Sequence, residues 1–471
     1  MRTICLSVLG VVLSSGAASA APPAPYEFRA ADGTTVAAEL GEVEVPENRA
    51  KPDSRRLRLK YVRFPATTAT PGSPIVYLAG GPGGSGIDTA RRERFPMFMA
   101  LRAVADVIAL DQRGTGLSND LPVCDSGIRA PLDQPSTREG ITRTMREAAE
   151  VCRRFWAGKN VDITGYTTVE SAADLDDLRQ ALGAPKITLW GISYGSHLAL
   201  AALKRMEPRI DRVVIASGEG LDQTVKMPAH TDAFFARFGA ALRAANPGAA
   251  TPDVPALIRR VHERLDRQPV RLPLKDAAGA AVTITIGRYD VQLLAASSIA
   301  DPPATVRLIK MYEAMDKGDF TAAAQVLLAM GSDTIKMRGM PEAMDIASGI
   351  SDAQLAVVER QAATSLLADT LNFPMPHLRG QLGVADLGDA FRAPVATAVP
   401  TLLVMGTLDG RTYLEAQPDN LRGFTSHHRL DVENAGHNVW MTSPETTPAV
   451  IAFLKGRKDL PERIVVPGPK W

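Results

Sequence analysis

Three residues far apart in the chain have the types and the order that acyl transfer requires: Ser193, Asp409 and His437. A serine hydroxyl is a weak nucleophile until a base takes its proton, and the base needs an acid to hold its ring. Ser193 lies in Gly191-Ile192-Ser193-Tyr194-Gly195, a G-x-S-x-G pattern. In a sharp strand-to-helix turn this pattern exposes the hydroxyl, and small residues on both flanks let strand and helix approach. Alone it is weak, because glycine and serine are common. Its setting strengthens it: Ile187 to Trp190 is an apolar run behind Gly183 and Pro185, and Ser196 to Arg205 has helical character. Asp409 follows the run Leu402 to Met405, and His437 follows Leu430 to Val432, 28 residues after Asp409. That interval leaves room for one helix and one strand. An aspartate in a glycine-flanked turn is usually only a turn residue. An acid and a histidine at successive strand ends after such a serine are much harder to obtain by chance.

The oxyanion formed in acyl transfer needs two N–H donors. One is expected from Tyr194, directly after the serine. The other is expected from Gly80-Gly81-Pro82-Gly83-Gly84-Ser85-Gly86, after the run Ile75 to Ala79, with Gly81 as the donor and Gly80 as the alternative. This glycine run has no G-K-[ST] ending and no acidic partner, so it is not a nucleotide cradle. Glu219, just after Arg212 to Ala216, competes with Asp409 for the orienting role; the other readings are a solvated loop residue or a substrate contact. Asp222 is a weaker version of the same. Asp111 and Arg113 read as braces for the loops around the site. His197, four residues after Ser193 on the expected helix, points along it and suits packing or the surface. His427 and His428 lack ligand partners at usable spacing, so neither a metal site nor a cofactor is expected.

The elements that must position these residues are legible in outline. Val36 to Val45 and Arg56 to Phe64 alternate apolar and polar residues, as half-buried antiparallel strands do. Pro74 to Ala79 and Val104 to Leu110 are compact apolar runs, which suit buried parallel strands. Ala172 to Leu182 carries Leu175, Leu178 and Leu182 on one helical face. Ile187 to Trp190, Arg212 to Ala216 and Thr401 to Met405 complete a strand–helix alternation, which predicts a mostly parallel sheet. The alternation stops between about Leu221 and Pro394. Ala233 to Ala245, Val254 to Leu265, Val291 to Ala300 and Thr305 to Met330 are helical in pattern there, and Val270 to Leu274 with Ala281 to Ile286 reads as a hairpin. Such a block between two core strands predicts a cap over the carboxyl edge of the sheet. The expected division is 1–20, 21–220, 221–394 and 395–471, with Pro22 to Pro25 as a short linker.

Hydrophobic residues make up 45% of the chain and charged residues 22%, the values of a globular protein. The formal net charge is +1, with no basic patch, which argues against nucleic acid as a partner. Arg2, the apolar run Ile4 to Leu13 and Ala18-Ser19-Ala20 have the pattern of a cleaved signal peptide. The run is too short to span ~30 Å of hydrocarbon, so no stable membrane insertion is expected. Export to a periplasm or outside the cell is. Cleavage leaves Cys124 and Cys152, an even pair that in an exported protein predicts one structural disulfide, against two buried thiols as the alternative.

Jointly the motifs resemble those of the proline iminopeptidase and tripeptidyl aminopeptidase family of α/β-hydrolases. The resemblance rests on Gly80 to Gly84, on Asp111-Gln112-Arg113-Gly114 with Gly116 and Ser118, and on Gly191, Ser193, Tyr194 and Gly195. Thr167-Thr168, Ala173 to Asp176, Leu178-Arg179, Gly406 with Asp409, and Gly436-His437 extend it over about Glu44 to Met441. It implies the α/β-hydrolase fold, a mostly parallel central sheet with helices on both faces and an inserted, mainly helical cap. It implies a serine aminopeptidase that releases residues or short peptides from a free N-terminus through an acyl-enzyme. Family aminopeptidases hold the substrate amine with cap acids; no glutamate motif in Leu221 to Pro394 matches, and Glu219 is the nearest candidate. Ala79 stands where the family often has His, and His197 where Arg is frequent. A carboxylic-ester hydrolase with the same triad is the close alternative, and a non-catalytic binding protein on this scaffold the remote one.

Overall fold

Short apolar runs that must be covered on both faces become the central strands. The computed structural model describes residues 22–119, 121–331 and 333–471. In chain order its strands begin with β1 (Ala24–Arg29), β2 (Thr35–Pro46), β3 (Arg56–Phe64), β4 (Ile75–Leu78) and β5 (Val107–Leu110). They continue with β6 (Cys124–Asp125), β7 (Ile187–Ser193), β8 (Ile210–Gly218), β9 (Val270–Lys275) and β10 (Ala281–Ile286). The last are β11 (Lys336–Met337), β12 (Thr401–Gly406), β13 (His427–Glu433) and β14 (Arg463–Val465). Ten of them form one sheet in the order β1-β2-β3-β5-β4-β7-β8-β12-β13-β14. From β5 across to β14 all neighbours are parallel, while β1, β2 and β3 add on antiparallel at one edge.

Alternate side chains feed two cores. Val76, Leu78 and Leu189 join Leu175, Leu178, Leu198 and Leu203 on one face. Tyr77, Trp190, Val214 and Val404 join Phe98, Leu101, Val450 and Phe453 on the other. Helices therefore cover both faces, and this is why β4, β5 and β12 read as unbroken apolar runs. At the antiparallel edge burial in β3 largely alternates, which is the half-buried pattern seen in the sequence.

Sheet neighbours β8 and β12 are separated in the chain by the segment 219–400. It contributes the helices Pro228–Ala245, Val254–Arg267, Arg288–Ser297, Pro302–Asp316, Thr321–Gly331, Met340–Ser348 and Asp352–Ala362, with the β9–β10 hairpin among them. Phe234, Phe238, Val261, Leu294, Ile309 and Tyr312 give it a core of its own.

Several local expectations need correction. The run Thr305 to Met330 is two helices, because Gly318 at φ +96° ends the first. Ala24 and Pro25 are not linker; they open β1, an edge strand, where a proline costs no ladder bond. His427 and His428 open β13. β14 was not foreseen at all, being three residues long. The expected signal segment 1–20 lies outside the described residues. Among the described residues no helix is long and apolar enough to cross a membrane.

Two buried charges brace the loops at the sheet's carboxyl edge. Asp111 accepts from Ser85 Oγ (2.6 Å) and from the N–H groups of Ile87 (3.0 Å) and Leu117 (2.7 Å), tying the glycine loop to the loop after β5. Arg113 is fully buried and binds Asp174 through two bonds of 2.8 and 2.7 Å. It also donates to the carbonyls of Glu47 and Gly165. A disulfide joins Cys124 in β6 to Cys152 in the helix Arg138–Gly158. β6 pairs with β11, which leads into the helix Met340–Ser348.

Removing one partner of a buried ion pair strands the other. Arg113→Met is therefore expected to cost about 3–5 kcal/mol in urea unfolding. A loss under about 1 kcal/mol would show that Arg49, which also binds Asp174, suffices.

Candidate active site

β7 ends at Ser193, and the helix Tyr194–Met206 begins at the next residue. Ser193 holds φ 55° and ψ −126°, a conformation L-residues avoid, which costs about 1–3 kcal/mol. The turn is closed by near-contacts that admit no side chain. A Cβ on Gly195 would lie 2.0 Å from the Leu78 carbonyl oxygen, and one on Gly191 would lie 2.5 Å from the Gly195 oxygen. The Ser196 hydroxyl donates to the Ser193 carbonyl at 2.5 Å.

Asp409 follows β12 and is wholly buried. Its Oδ1 accepts from the N–H groups of Arg411 (2.7 Å) and Thr412 (2.9 Å). Its Oδ2 accepts from Thr412 Oγ1 (2.7 Å) and lies 2.9 Å from His437 Nδ1. Burial alone would push this carboxyl up; His437 and the bonds from His437 and Thr412 outweigh burial and hold it below the usual carboxylate range. His437 follows β13, with its N–H on the Ala300 carbonyl (2.8 Å) and its own carbonyl on Ser217 Oγ (2.8 Å). With Nδ1 engaged by Asp409, Nε2 is the atom left for the serine. Ser193 and His437 line one cavity of about 700 Å³ together with Gly80 and Gly81. Ser193 Oγ and His437 Nε2 form no hydrogen bond in this structure; such contacts commonly tighten only with substrate present.

The glycine loop lies against the elbow. A Cβ on Gly80 would sit 3.2 Å from Ser193 Cβ. Gly84 N–H closes the loop on the Gly80 carbonyl (3.0 Å). The Gly81 N–H has no acceptor among the described residues, and the Tyr194 N–H opens its helix, where no helical acceptor exists. Both remain available to an oxyanion.

Glu219, the rival acid, is elsewhere. It is buried, its carboxylate binds Lys226 Nζ at 2.6 Å, and its N–H donates to Ser196 Oγ at 2.7 Å. Burial raises this carboxyl, but Lys226 and His197 bring it below its ordinary value. His197 is fully buried, between the Gly220 carbonyl (3.1 Å) and Ser348 Oγ (3.0 Å), which makes it a packing residue.

Two further acids near the elbow carry no signal in the sequence. The helix Met340–Ser348 starts over the glycine loop, where a Cβ on Gly83 would meet Pro341 Cγ at 2.6 Å. It then packs on the elbow through Met344, whose sulfur accepts from Tyr194 Oη at 2.9 Å. Glu342 and Asp345 are three residues apart on this helix. Burial raises the Glu342 carboxyl, against the N–H of Gly339 at 2.8 Å. Asp345 is held well above its ordinary value by burial and by the charge of Glu219. Gly339 with Pro341 marks a helix start, and the i,i+3 acids share a face. Nothing local says which way that face points.

If Asp409 orients His437, Asp409→Asn lowers kcat for any acyl substrate by about 10⁴-fold. Glu219→Gln then costs an ester substrate less than about tenfold. The opposite ranking in steady-state assays would hand the orienting role to Glu219.

Residues 73–282 match the family model described as the alpha/beta hydrolase fold. Serine protease Hip1 of Mycobacterium tuberculosis is 31% identical over 182 residues, covering 37% of this chain and 35% of that protein. Tripeptidyl aminopeptidase of Streptomyces coelicolor is 29% identical over 196 residues, covering 38% of this chain and 35% of that protein. The matched stretch thus spans about a third of these curated relatives. The solved structure of a proline iminopeptidase-related protein from Thermus thermophilus covers 88% of this chain and 97% of its own at 15% identity and a TM-score of 0.39.

Proposed function

We propose that this chain, which has the α/β-hydrolase fold, is an exported serine aminopeptidase that releases residues or short peptides from free N-termini. Ser193 Oγ attacks the scissile carbonyl carbon while His437 Nε2 takes its proton. The oxyanion is held by the N–H groups of Gly81 and Tyr194. As the tetrahedral adduct collapses, the carbon–nitrogen bond breaks and the leaving amine takes the proton from His437. Water, deprotonated by the same ring, then releases the acyl group from Ser193. Asp409 keeps Nδ1 bonded, so that Nε2 alone faces the reaction and the imidazolium is stabilised as it forms.

The observation that carries peptide over ester is a cluster of buried acids near the elbow helix. Asp345 is repelled by Glu219 and Glu342 in a buried setting, against Lys226, which pairs with Glu219, and Arg411. The repulsion among the acids is what an incoming ammonium relieves. A simple ester brings no such charge. The segment 221–394, read as the cap, supplies two of these acids. The names of the two relatives support a peptide substrate, and the residue pattern of 1–20 with the Cys124–Cys152 disulfide supports export.

Labelling of the folded protein by a fluorophosphonate at Ser193 tests for an enzyme at all; no labelling would leave a binding scaffold. A panel of aminoacyl and peptidyl amides beside acyl esters then tests the substrate, and turnover of esters alone would rule out the aminopeptidase.

Asp345→Asn is expected to lower kcat/KM for aminoacyl amides by about 10²-fold, mainly through KM, with a much smaller effect on esters. The same change carries a stability signature. Below the ordinary aspartate value of 3.8 the folded and unfolded states both hold the proton, so the native residue costs nothing. As pH rises through the elevated folded value, the native carboxyl must ionise in place and the fold loses stability. Asp345→Asn should therefore raise Tm at about pH 8 more than at about pH 4. Equal shifts at both pH values would mean that Asp345 is not perturbed.

A further inference from the structure

The cavity that holds Ser193 and His437 has a charged lining of its own. Besides the glycine loop it is lined by Arg92, Glu93, Arg94, Arg411 and Asn438, with Tyr77 and Met441; Glu219, Glu342 and Asp345 do not line it. Arg92 and Glu93 are exposed, and Arg92 caps the short helix Gly86–Arg91 that follows the glycine loop. Arg94 donates to the Tyr77 hydroxyl and, at 3.1 Å, to Asn438 Oδ1. Both of these partners are neutral. Neither Arg92 nor Arg94 forms an ion pair among the described residues, in a chain where most partly buried arginines do. The nearby carboxylate of Asp301 is engaged by Asn438, through its N–H (3.0 Å) and its Nδ2 (2.6 Å).

Chemistry sets which part of a substrate this wall meets. The leaving amine takes its proton from His437, so the leaving chain lies on the His437 side of Ser193. Asn438 is the next residue after His437, and Arg94 is bonded to it. Glu219 is tied instead to the elbow helix, through Ser196. We infer that Arg92 and Arg94 form a leaving-side subsite for a carboxylate, and that the preferred substrates are short peptides whose free C-terminus, or an acidic side chain just beyond the scissile bond, reaches these guanidiniums. The site then reads a zwitterion: ammonium at the acids, carboxylate at the arginines, scissile carbonyl between them at Ser193. Glu93, on the same rim, disfavours leaving chains that carry an acidic group too far out. This inference rests on the aminopeptidase reading and deepens it.

The test uses the full chain and matched alanine peptides, dipeptides to pentapeptides, each as the free acid and as the C-terminal carboxamide, with aminoacyl coumarylamides as neutral leaving groups. For at least one length the free acid is expected to exceed the carboxamide roughly fivefold in kcat/KM, through KM, and the preference should fade as salt is raised. Arg92→Glu is expected to abolish or reverse it, with Arg92→Gln intermediate; fluorophosphonate labelling at Ser193 reports that each variant is folded. Equal acid and carboxamide rates in the wild type, a preference indifferent to salt, or a ratio that Arg92→Glu leaves unchanged overturns the leaving-side subsite while the aminopeptidase stands. Turnover of esters alone, with no peptide or coumarylamide cleaved, removes the aminopeptidase and this subsite with it.

Discussion

Where β7 passes into its helix, the backbone at Gly195 comes so near β4 that any side chain would strike the Leu78 carbonyl oxygen. This closeness is possible because β4 and β7 are parallel neighbours in register, Leu78 opposite Gly191. It brings the loop that leaves β4 onto Ser193, so Gly80, Gly81 and Ser193 are placed by one contact. The strain stored in the Ser193 backbone has to be offset, and the elbow helix does so: from Tyr194 to Leu203 every residue is buried. The twin cores on the two faces of the sheet hold that helix in place. Loosening of the elbow would therefore be felt at all the other parts of the site, which are referred to it.

Charge is arranged around this point with a polarity that the net charge of +1 conceals. Carboxylates gather beside the elbow helix and on the helix Met340–Ser348, with Lys226 and Arg411 acting on them, while Arg92 and Arg94 line the cavity of Ser193 and His437 without an ion pair among the described residues. Asp409 belongs to neither group. Four donors surround its two oxygens, so it stays ionised in spite of complete burial and can face the imidazole as a fixed negative charge. Asp345, with burial and a like-charged neighbour against it, is pushed the other way. Two buried aspartates thus differ in kind because of the groups around them.

What could be read in the sequence was what depends on local order. Ser193 was legible because strand, turn and helix are consecutive. Asp409 and His437 were legible because parallel strands all end at one edge, so residues just past consecutive strands converge without any further information. Glu342 and Asp345 were not, since their helix is directed toward the elbow by packing of Pro341 and Met344 on residues far away in the chain. Arg92 and Arg94 sit in an unremarked stretch, and only the fold brings them to the cavity of Ser193 and His437. The helix break at Gly318 was hidden because the apolar period continues across it, and β1 because two prolines precede and open it. Residues that serve the sheet were visible, and residues that depend on how the segment 219–400 lies on the sheet were not.

The hydroxyl of Ser196 accepts from the Glu219 amide and donates to the Ser193 carbonyl. A single oxygen thereby fixes the span between the acid and the nucleophile. If the substrate ammonium is received at Glu219 as proposed, that span would set how many residues fit before the scissile bond arrives at Ser193. Loop movement elsewhere in the segment 219–400 could reshape side-chain preference without altering this count. The length of the fragment released would then be a property of the rigid elbow, and its identity a property of the segment laid over it.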